Sequence, residues 1–327
     1  MDTITIIMPC YNKERYIAQA LDSVFAQKVD FPCHVIIADD CSTDRTLAIV
    51  GEYVARYPGI FEILKAEKNL GLFANVRRAY AICKTPYFCV LDPDDYWTDE
   101  RHLQKAVDFL SRHRGFTIYC AGIEMLYRDG RRENCDFPSC EVDSDYRDFL
   151  CQNAVIAYTQ TCVYRNVVFA NGLPEKVKNP PCPSMFKSFR GDSFRNFIHI
   201  QRGKAHFSPG VEACYRQTEE GVFQGLGDAA RLLLNAQFLA DCWRYDDGAY
   251  PQLLAQSKRT FDRALPVLLS GLGGSRPEDE KSVTQARELS ELYGQNRWVA
   301  ERGLVEMFLG RGYLWQRFKD KLRRRLK

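Results

Sequence analysis

The chain has 327 residues, of which 46% are hydrophobic and 27% charged, and its net charge is +3. That is the composition of an ordinary globular protein with room for one large domain and a smaller one, and it excludes disordered and collagen-like chains. The 13 cysteines are scattered, odd in number and without a Cys-x-x-Cys pair, so they read as reduced, buried thiols of a cytoplasmic protein rather than as bridges or zinc ligands.

Met1 to Thr5 lack the basic and apolar regions of a signal peptide, and no apolar run approaches the roughly 18–20 residues of a membrane span. Ile4 to Met8 reads as a short buried strand broken by Pro9-Cys10-Tyr11-Asn12. Tyr16, Ile17, Ala20, Leu21, Val24 and Phe25 then recur at helical spacing. His34 to Ala38 is a second strand, ending in Asp39-Asp40-Cys41-Ser42. A helix over Thr43 to Tyr57 follows, with Ser42 or Thr43 as its cap. Phe61 to Leu64 is a third strand, Gly71 to Cys83 a helix, Pro86 to Leu91 a fourth strand, and His102 to Ser111 a helix. Strands alternating with helices predict a largely parallel sheet covered on both faces.

The middle of the chain changes character. Phe116 to Tyr127 followed by Arg128-Asp129-Gly130-Arg131 predicts a hairpin. Thr161 to Arg165 is a short strand, and Asn179 to Ser184, with three prolines, is a loop. Asp192 can cap a helix carrying Phe194, Phe197 and Ile198. One strand is expected near His206 and Phe207 and another ending at Cys214-Tyr215-Arg216. Gly221, Gly225 and Gly227 mark a connection, and from Asp228 the pattern is helical, interrupted at Gly271 to Pro277.

In open parallel sheets, ligands bind beyond the carboxyl ends of the strands. Three such ends carry Tyr11, Asp39-Asp40, and the run Leu91-Asp92-Pro93-Asp94-Asp95-Tyr96-Trp97. Carboxylates crowded in this way repel one another unless water or a cation relieves them, and Mg²⁺ or Mn²⁺ carrying a phosphorylated ligand suits that oxygen-rich setting.

Four segments, in order, resemble the family 2 glycosyltransferases: Ile7-Met8-Pro9-Cys10-Tyr11-Asn12-Lys13, Ile37-Ala38-Asp39-Asp40-Cys41-Ser42-Thr43-Asp44, Asn69-Leu70-Gly71, and Leu91 to Trp97. Arg190-Gly191-Asp192 is similar to that family's catalytic-base segment. The resemblance implies an α/β GT-A fold over residues 1–225, followed by a helical region over 226–327. It implies an inverting, metal-dependent transferase that moves a sugar from a nucleotide diphosphate to an acceptor hydroxyl, as in bacterial surface glycan assembly.

Carried over by position, Pro9 and Tyr11 flank the nucleobase and Tyr11 stacks on it. Asp40 accepts the uracil N3–H, favouring a UDP-sugar. Arg77 or Arg78 touches the nucleotide, and Asp94 faces the ribose. Asp95 holds Mn²⁺ or Mg²⁺, shared with Asp92, and Asp192 is the general base. The chain departs from the pattern at Thr218, where many members have a metal-binding His; Glu219, Glu220 or water is left to complete the ion's shell.

Two other readings differ in kind. A nucleotidyltransferase would carry a glycine-rich loop where Pro9 to Glu14 stand, and a non-catalytic binding homologue would keep the crevice without turnover. The loop Asn179 to Ser188 and the segment Gly221 to Gly227 flank the expected base and are candidates to close over bound donor. Finally, residues 311–327 hold eight basic residues against Asp320, with Leu314, Phe318, Leu322 and Leu326 at fourfold spacing. That pattern fits a helix lying on an anionic membrane surface, suiting a peripheral protein of the inner face with a glycan or lipid-linked acceptor. No nucleic-acid recognition motif accompanies it.

Overall fold

The computed structural model describes residues 3–189, 191–218, 226–271 and 277–302. Arg190, Glu219, Glu220 and the basic tail lie outside them. Contacts divide the chain into two compact units.

The first unit is built on one sheet. Strands β1 (Ile4–Cys10), β2 (Cys33–Asp39), β3 (Phe61–Lys65) and β4 (Tyr87–Val90) pair in parallel in the order β3-β2-β1-β4. Helices α1 (Ile17–Phe25), α2 (Thr46–Arg56) and α3 (Leu72–Ile82) connect them. β1 is buried along its whole length, which is why its apolar run does not alternate. Beyond β4, the two-residue strand β5 (Tyr96–Trp97), helix α4 (His102–Arg112), strands β6 (Phe116–Leu126), β7 (Arg132–Asn134) and β8 (Val142–Ser144), and helix α5 (Tyr146–Leu150) follow. A single 3-10 turn, Thr159–Thr161, leads into β9 (Val163–Arg165), then come α6 (Glu175–Lys178), α8 (Gly191–Ile200) and β10 (Lys204–Arg216), with α7 (Met185–Ser188) lying between α6 and α8 in the chain.

The sheet continues from β4 through β9, β6 and β10 to β5. β9 runs antiparallel to both β4 and β6, which ends the parallel half. On one face, Ile17, Leu21, Val24, Val50, Leu103 and Val107 from α1, α2 and α4 complete an apolar core with Ile4, Ile6 and Ile37. On the other, α3 and α8 bring an aromatic layer, with Tyr80 stacked on Phe169 and Phe88 on Tyr164.

Three local expectations are revised. α2 begins at Thr46, because Ser42 and Thr43 are held by the neighbouring loop: Asn12 N donates to Ser42 Oγ, and Thr43 N to Asn12 Oδ1. The two strands expected around His206 and Cys214 are one strand, β10, whose pairing with β6 slips between Ser208 and Val211 at Pro209-Gly210. Gly122 faces that irregularity, and a Cβ there would lie 2.9 Å from the Gly210 carbonyl oxygen. Tyr96 and Trp97, read as the tail of a loop motif, pair antiparallel with β10.

The second unit comprises Pro180–Ser188, hence α7, together with α9 (Asp228–Tyr245), α10 (Pro251–Gly271) and α11 (Pro277–Gln295). Leu233, Ala236 and Ala240 pack with Leu254, Phe261, Leu289 and Tyr293 in its core. The Pro-rich loop folds with these helices because buried Asp241 binds it. Ser184 Oγ donates to Asp241 Oδ1 at 2.8 Å and Ser188 Oγ to Oδ2 at 2.6 Å, while Gln237 and Arg244 donate to Oδ1 from α9. Contacts thus group Pro180–Ser188 with the helices that follow the expected boundary at residue 225. Among the described residues, no helix is long and apolar enough to cross a membrane.

Candidate active site

The carboxyl ends of β1, β2 and β4 meet at one rim of the first unit. The loops after β1 and β2 are knitted together: Lys13 N donates to Thr46 Oγ1, Glu14 N to Asp44 Oδ2, and Arg45 N to Glu14 Oε2. Pro9 is buried within β1, and Tyr11 stands 45% exposed just past its end, free to offer a ring face.

Asp39 and Asp40 are both buried and serve different ends. Asp40 receives the Leu70 N–H at 2.7 Å and the Gly71 N–H at 2.9 Å, one on each oxygen. It thereby fixes the turn that starts α3, where Gly71 has φ of 84°, a value that favours glycine. Asp39 Oδ2 accepts from Ser42 N, while Asp39 Oδ1 is buried without a hydrogen-bond partner among the described residues. Arg78 donates to the Lys65 and Asp39 carbonyls and to Asn75 Oδ1, at the ends of β2 and β3. Arg77 instead points its Nη2 at the Lys178 carbonyl.

The acidic run after β4 is held from several sides. Asp95 is 1% exposed; Gln160 Nε2 donates to its Oδ2 and Arg216 N to its Oδ1. Burial, then Asp94 and Asp92, push its carboxyl well above the usual range. Asp94 Oδ2 pairs with Lys13 Nζ at 2.8 Å, and Thr218 Oγ1 lies 3.5 Å from the same oxygen. Thr218, at the place where the resemblance predicts a metal-binding His, therefore does sit against the acidic run. Asp92 is the carboxylate to which no described residue donates. Burial and Asp94 raise it to about 6, against the opposing pull of Arg195.

Asp192 is the second residue of α8 and lies in its first turn, after Gly191 with φ of 61°. An acid there is favoured by the helix dipole. Its charge is felt by Asp92 and also by Tyr158, Cys162, Tyr164 and Arg195. The structure thus brings Asp92, Asp94, Asp95 and Asp192 to one rim, with Asp39, Asp40 and Tyr11 beside them. Arg77 is turned away, toward Lys178. Gln160 and Arg195 carried no sequence signal, since each comes to the site only through the tertiary fold, while Lys13 closes the first family-like segment with no role read for it there.

The acidic run suits a hard divalent cation in its chemistry: an uncommitted Asp92 beside Asp94 and Asp95, all crowded. Among the described residues, no three acidic, His or Cys side chains converge as a ready-made cage.

Residues 5–136 match the family model for glycosyl transferase family 2. That segment is a glycosyl transferase family 2 domain. An uncharacterized Mycobacterium tuberculosis protein is 33% identical over 222 residues, 67% of this chain and 60% of that protein. The chain thus spans about 60% of its mycobacterial relative's length. The Staphylococcus aureus poly(ribitol-phosphate) beta-N-acetylglucosaminyltransferase TarS is 30% identical over 188 residues, 55% of this chain and 31% of TarS. A TarS structure in complex with UDP-GlcNAc superposes with a TM-score of 0.61 at 19% identity, covering 88% of this chain and 81% of that one. The Pyrobaculum calidifontis mannosyltransferase PcManGT, in complex with GDP-Man and Mn²⁺, gives a TM-score of 0.52 at 18% identity, covering 94% and 86%. At these identities the structures establish the shared fold: a mostly parallel sheet between helices, of GT-A type.

Proposed function

We propose that this chain moves a sugar from a nucleotide diphosphate, preferentially a UDP-sugar, to an acceptor hydroxyl with inversion, in bacterial surface glycan assembly. The observation that supports the reading best is the acidic run at the strand ends, where Lys13 pairs with Asp94 and no described residue donates to Asp92, in a chain whose residues 5–136 match glycosyl transferase family 2. Donor-side acids and a lone acid on a separate helix are what a direct displacement needs.

Tyr11 stacks on the base. Asp40 accepts an imino N–H only through lone pairs that the Leu70 and Gly71 amides leave unused, and Asp39 Oδ1 offers an open acceptor beside it. Of the two arginines, Arg78 is at the crevice and is the better candidate to touch the nucleotide. Asp94 faces the ribose, with Lys13 paired to it. Mn²⁺ or Mg²⁺ would be held by Asp92, with Asp95 behind it, and when bound it offsets the charge that builds on the departing diphosphate. Asp192 takes the proton of the acceptor hydroxyl as the new bond forms. The TarS complex with UDP-GlcNAc and the PcManGT complex with GDP-Man and Mn²⁺ support a nucleotide-sugar donor and a metal. We place the acceptor, a glycan or lipid-linked glycan, at a membrane surface reached by residues 311–327.

The test is a screen of nucleotide sugars for binding and hydrolysis with Mn²⁺, comparing the wild type with Asp95→Ala and Asp192→Ala. Asp95→Ala weakens metal-dependent donor binding. Asp192→Ala keeps donor binding and loses turnover by about 10²–10⁴-fold. Binding without turnover of any donor by the wild type refutes the transferase reading in favour of a non-catalytic binding protein.

A further inference from the structure

Tyr158 is 45% exposed, yet its ring is braced. It lies nearly parallel to the Tyr215 ring, with 6.0 Å between centroids and 3° between planes. The Phe137 ring meets it edge-on, 6.1 Å away. Both supporting rings are partly buried against the apolar core, and Phe137 stacks in turn on buried Phe207. Packed aromatics therefore back Tyr158 on one side, and the rest of its ring is open.

The sheet sets this ring beside the acids. β9 runs antiparallel to β4, so the 3-10 turn that precedes β9 stands at the carboxyl end of β4. β6 runs antiparallel to β9, and β10 parallel to β6, so β10 ends at the same rim. Tyr158 comes immediately before the turn, and Tyr215 is the penultimate residue of β10. Hydrogen bonds tie both neighbourhoods to one carboxylate. Gln160, two positions after Tyr158, donates to Asp95 Oδ2, and the N–H of Arg216, next after Tyr215, donates to Asp95 Oδ1 at 2.8 Å. Thr159 Oγ1 accepts from Nη2 of buried Arg195 at 3.0 Å, which joins the turn to α8. Tyr11, also 45% exposed, follows β1, on the opposite side of β4 from β9. The acids thus stand between two open rings, Tyr11 on the β1 side and Tyr158 on the β9 side.

Crowded carboxylates and the negative face of an aromatic ring both disfavour an anion at Tyr158. An uncharged ligand with C–H bonds on one face suits it. A pyranose with equatorial hydroxyls is such a ligand: its axial hydrogens meet the ring face while its hydroxyls stay in water. A ring already held by its neighbours loses little freedom when the sugar arrives.

We propose that Tyr158, backed by Tyr215 and Phe137, is the platform on which a pyranose ring of the acceptor glycan stacks, across the acids from the nucleotide. Calling that sugar the acceptor rests on the transferase reading; the stacking does not.

The test is binding of methyl β-D-glucopyranoside to the full-length chain labelled with ¹³C in its tyrosine rings, followed by NMR, with Tyr158 assigned from Tyr158→Phe. Ribitol, rich in hydroxyls but without a ring face, is the control at equal concentration. The pyranoside moves the Tyr158 signal and ribitol does not. UDP with Mn²⁺, added first, leaves that shift in place. Tyr158→Ala weakens pyranoside binding by roughly two- to tenfold, what one aromatic contact contributes, and Tyr158→Phe keeps it. An unmoved Tyr158 signal, an equal response to ribitol, unchanged binding by Tyr158→Ala, or displacement by UDP overturns the platform, the last by giving Tyr158 to the nucleotide. The wild-type readouts decide the matter even if Tyr158→Ala does not fold. A chain that binds the pyranoside at Tyr158 but hydrolyses no nucleotide sugar loses the transferase reading and keeps the platform. One that hydrolyses UDP-GlcNAc while the pyranoside leaves Tyr158 untouched does the reverse.

Discussion

Replacing Asp40 with alanine removes the acceptor for two backbone amides at once. Leu70 N and Gly71 N donate to its two oxygens at 2.7 and 2.9 Å, and the carboxylate is 4% exposed. Hydrogen bonds to a charged partner contribute about 1.5–3 kcal/mol each. Leu70 is 39% exposed, so water reaches part of the released turn and the lower end applies. The sum is about 3 kcal/mol. In a domain of this size each kcal/mol moves the melting temperature by about 2–4 °C, which gives a fall of roughly 6–12 °C. Asp40→Asn keeps one oxygen and loses about half as much. Urea denaturation and a thermal melt both read the change. An Asp40→Ala chain within about 0.5 kcal/mol of wild type, the range of an ordinary surface change, would refute the claim that this acid holds the entrance to α3.

Asp92 binds its proton more tightly when folded, at about 6 against the ordinary 3.8, chiefly because of burial and then Asp94. The folded state thus holds the extra proton between these values, and stability falls as pH rises through that window; Asp92→Asn flattens the slope, and an unchanged slope in urea titrations at stepped pH counts against it. Lys13 pairs with Asp94 at 2.8 Å, both side chains mostly buried, so Lys13→Met exposes an unbalanced acid and tightens Mn²⁺ binding about tenfold in equilibrium dialysis without nucleotide, worth roughly 1.4 kcal/mol; equal or weaker binding contradicts this. Glu212 is 1% exposed and accepts from Lys105 Nζ at 2.9 Å, with His102 Nδ1 at 2.7 Å. Glu212→Ala therefore destabilises by about 3–5 kcal/mol, and a smaller loss than 1 kcal/mol would show the cluster to be idle.

The parallel half of the fold was legible because its information is local. β1, β2 and β4 each carry an apolar run, and each run stops at residues whose chemistry differs from what precedes them. The acids at those stops were read as one site because strand ends in such a sheet converge. What stayed hidden depends on partners distant in sequence. Tyr96 and Trp97 become a strand only because Cys214 and Ala213 arrive alongside. Asp95 gains Gln160 and the Arg216 amide from 65 and 121 positions away. Arg195 looks in the sequence like any exposed helical arginine, and only the packing of α8 against the aromatic layer buries it. Between Arg77 and Arg78, helical periodicity cannot choose, since adjacent residues diverge by 100° and either can face the sheet.

Pro180–Ser188 leaves the sheet-bearing unit, is gripped by Asp241, and hands the chain back at Phe189, three positions before Asp192. The carboxyl-terminal helices are consequently no detachable accessory. A chain shortened at residue 221 would strand Ser184 and Ser188 without the carboxylate that receives their hydroxyls. Replacing those helices by ones without an acid at the Asp241 position would leave both serine hydroxyls without that acceptor, so the short excursion and its distant carboxylate act as one unit.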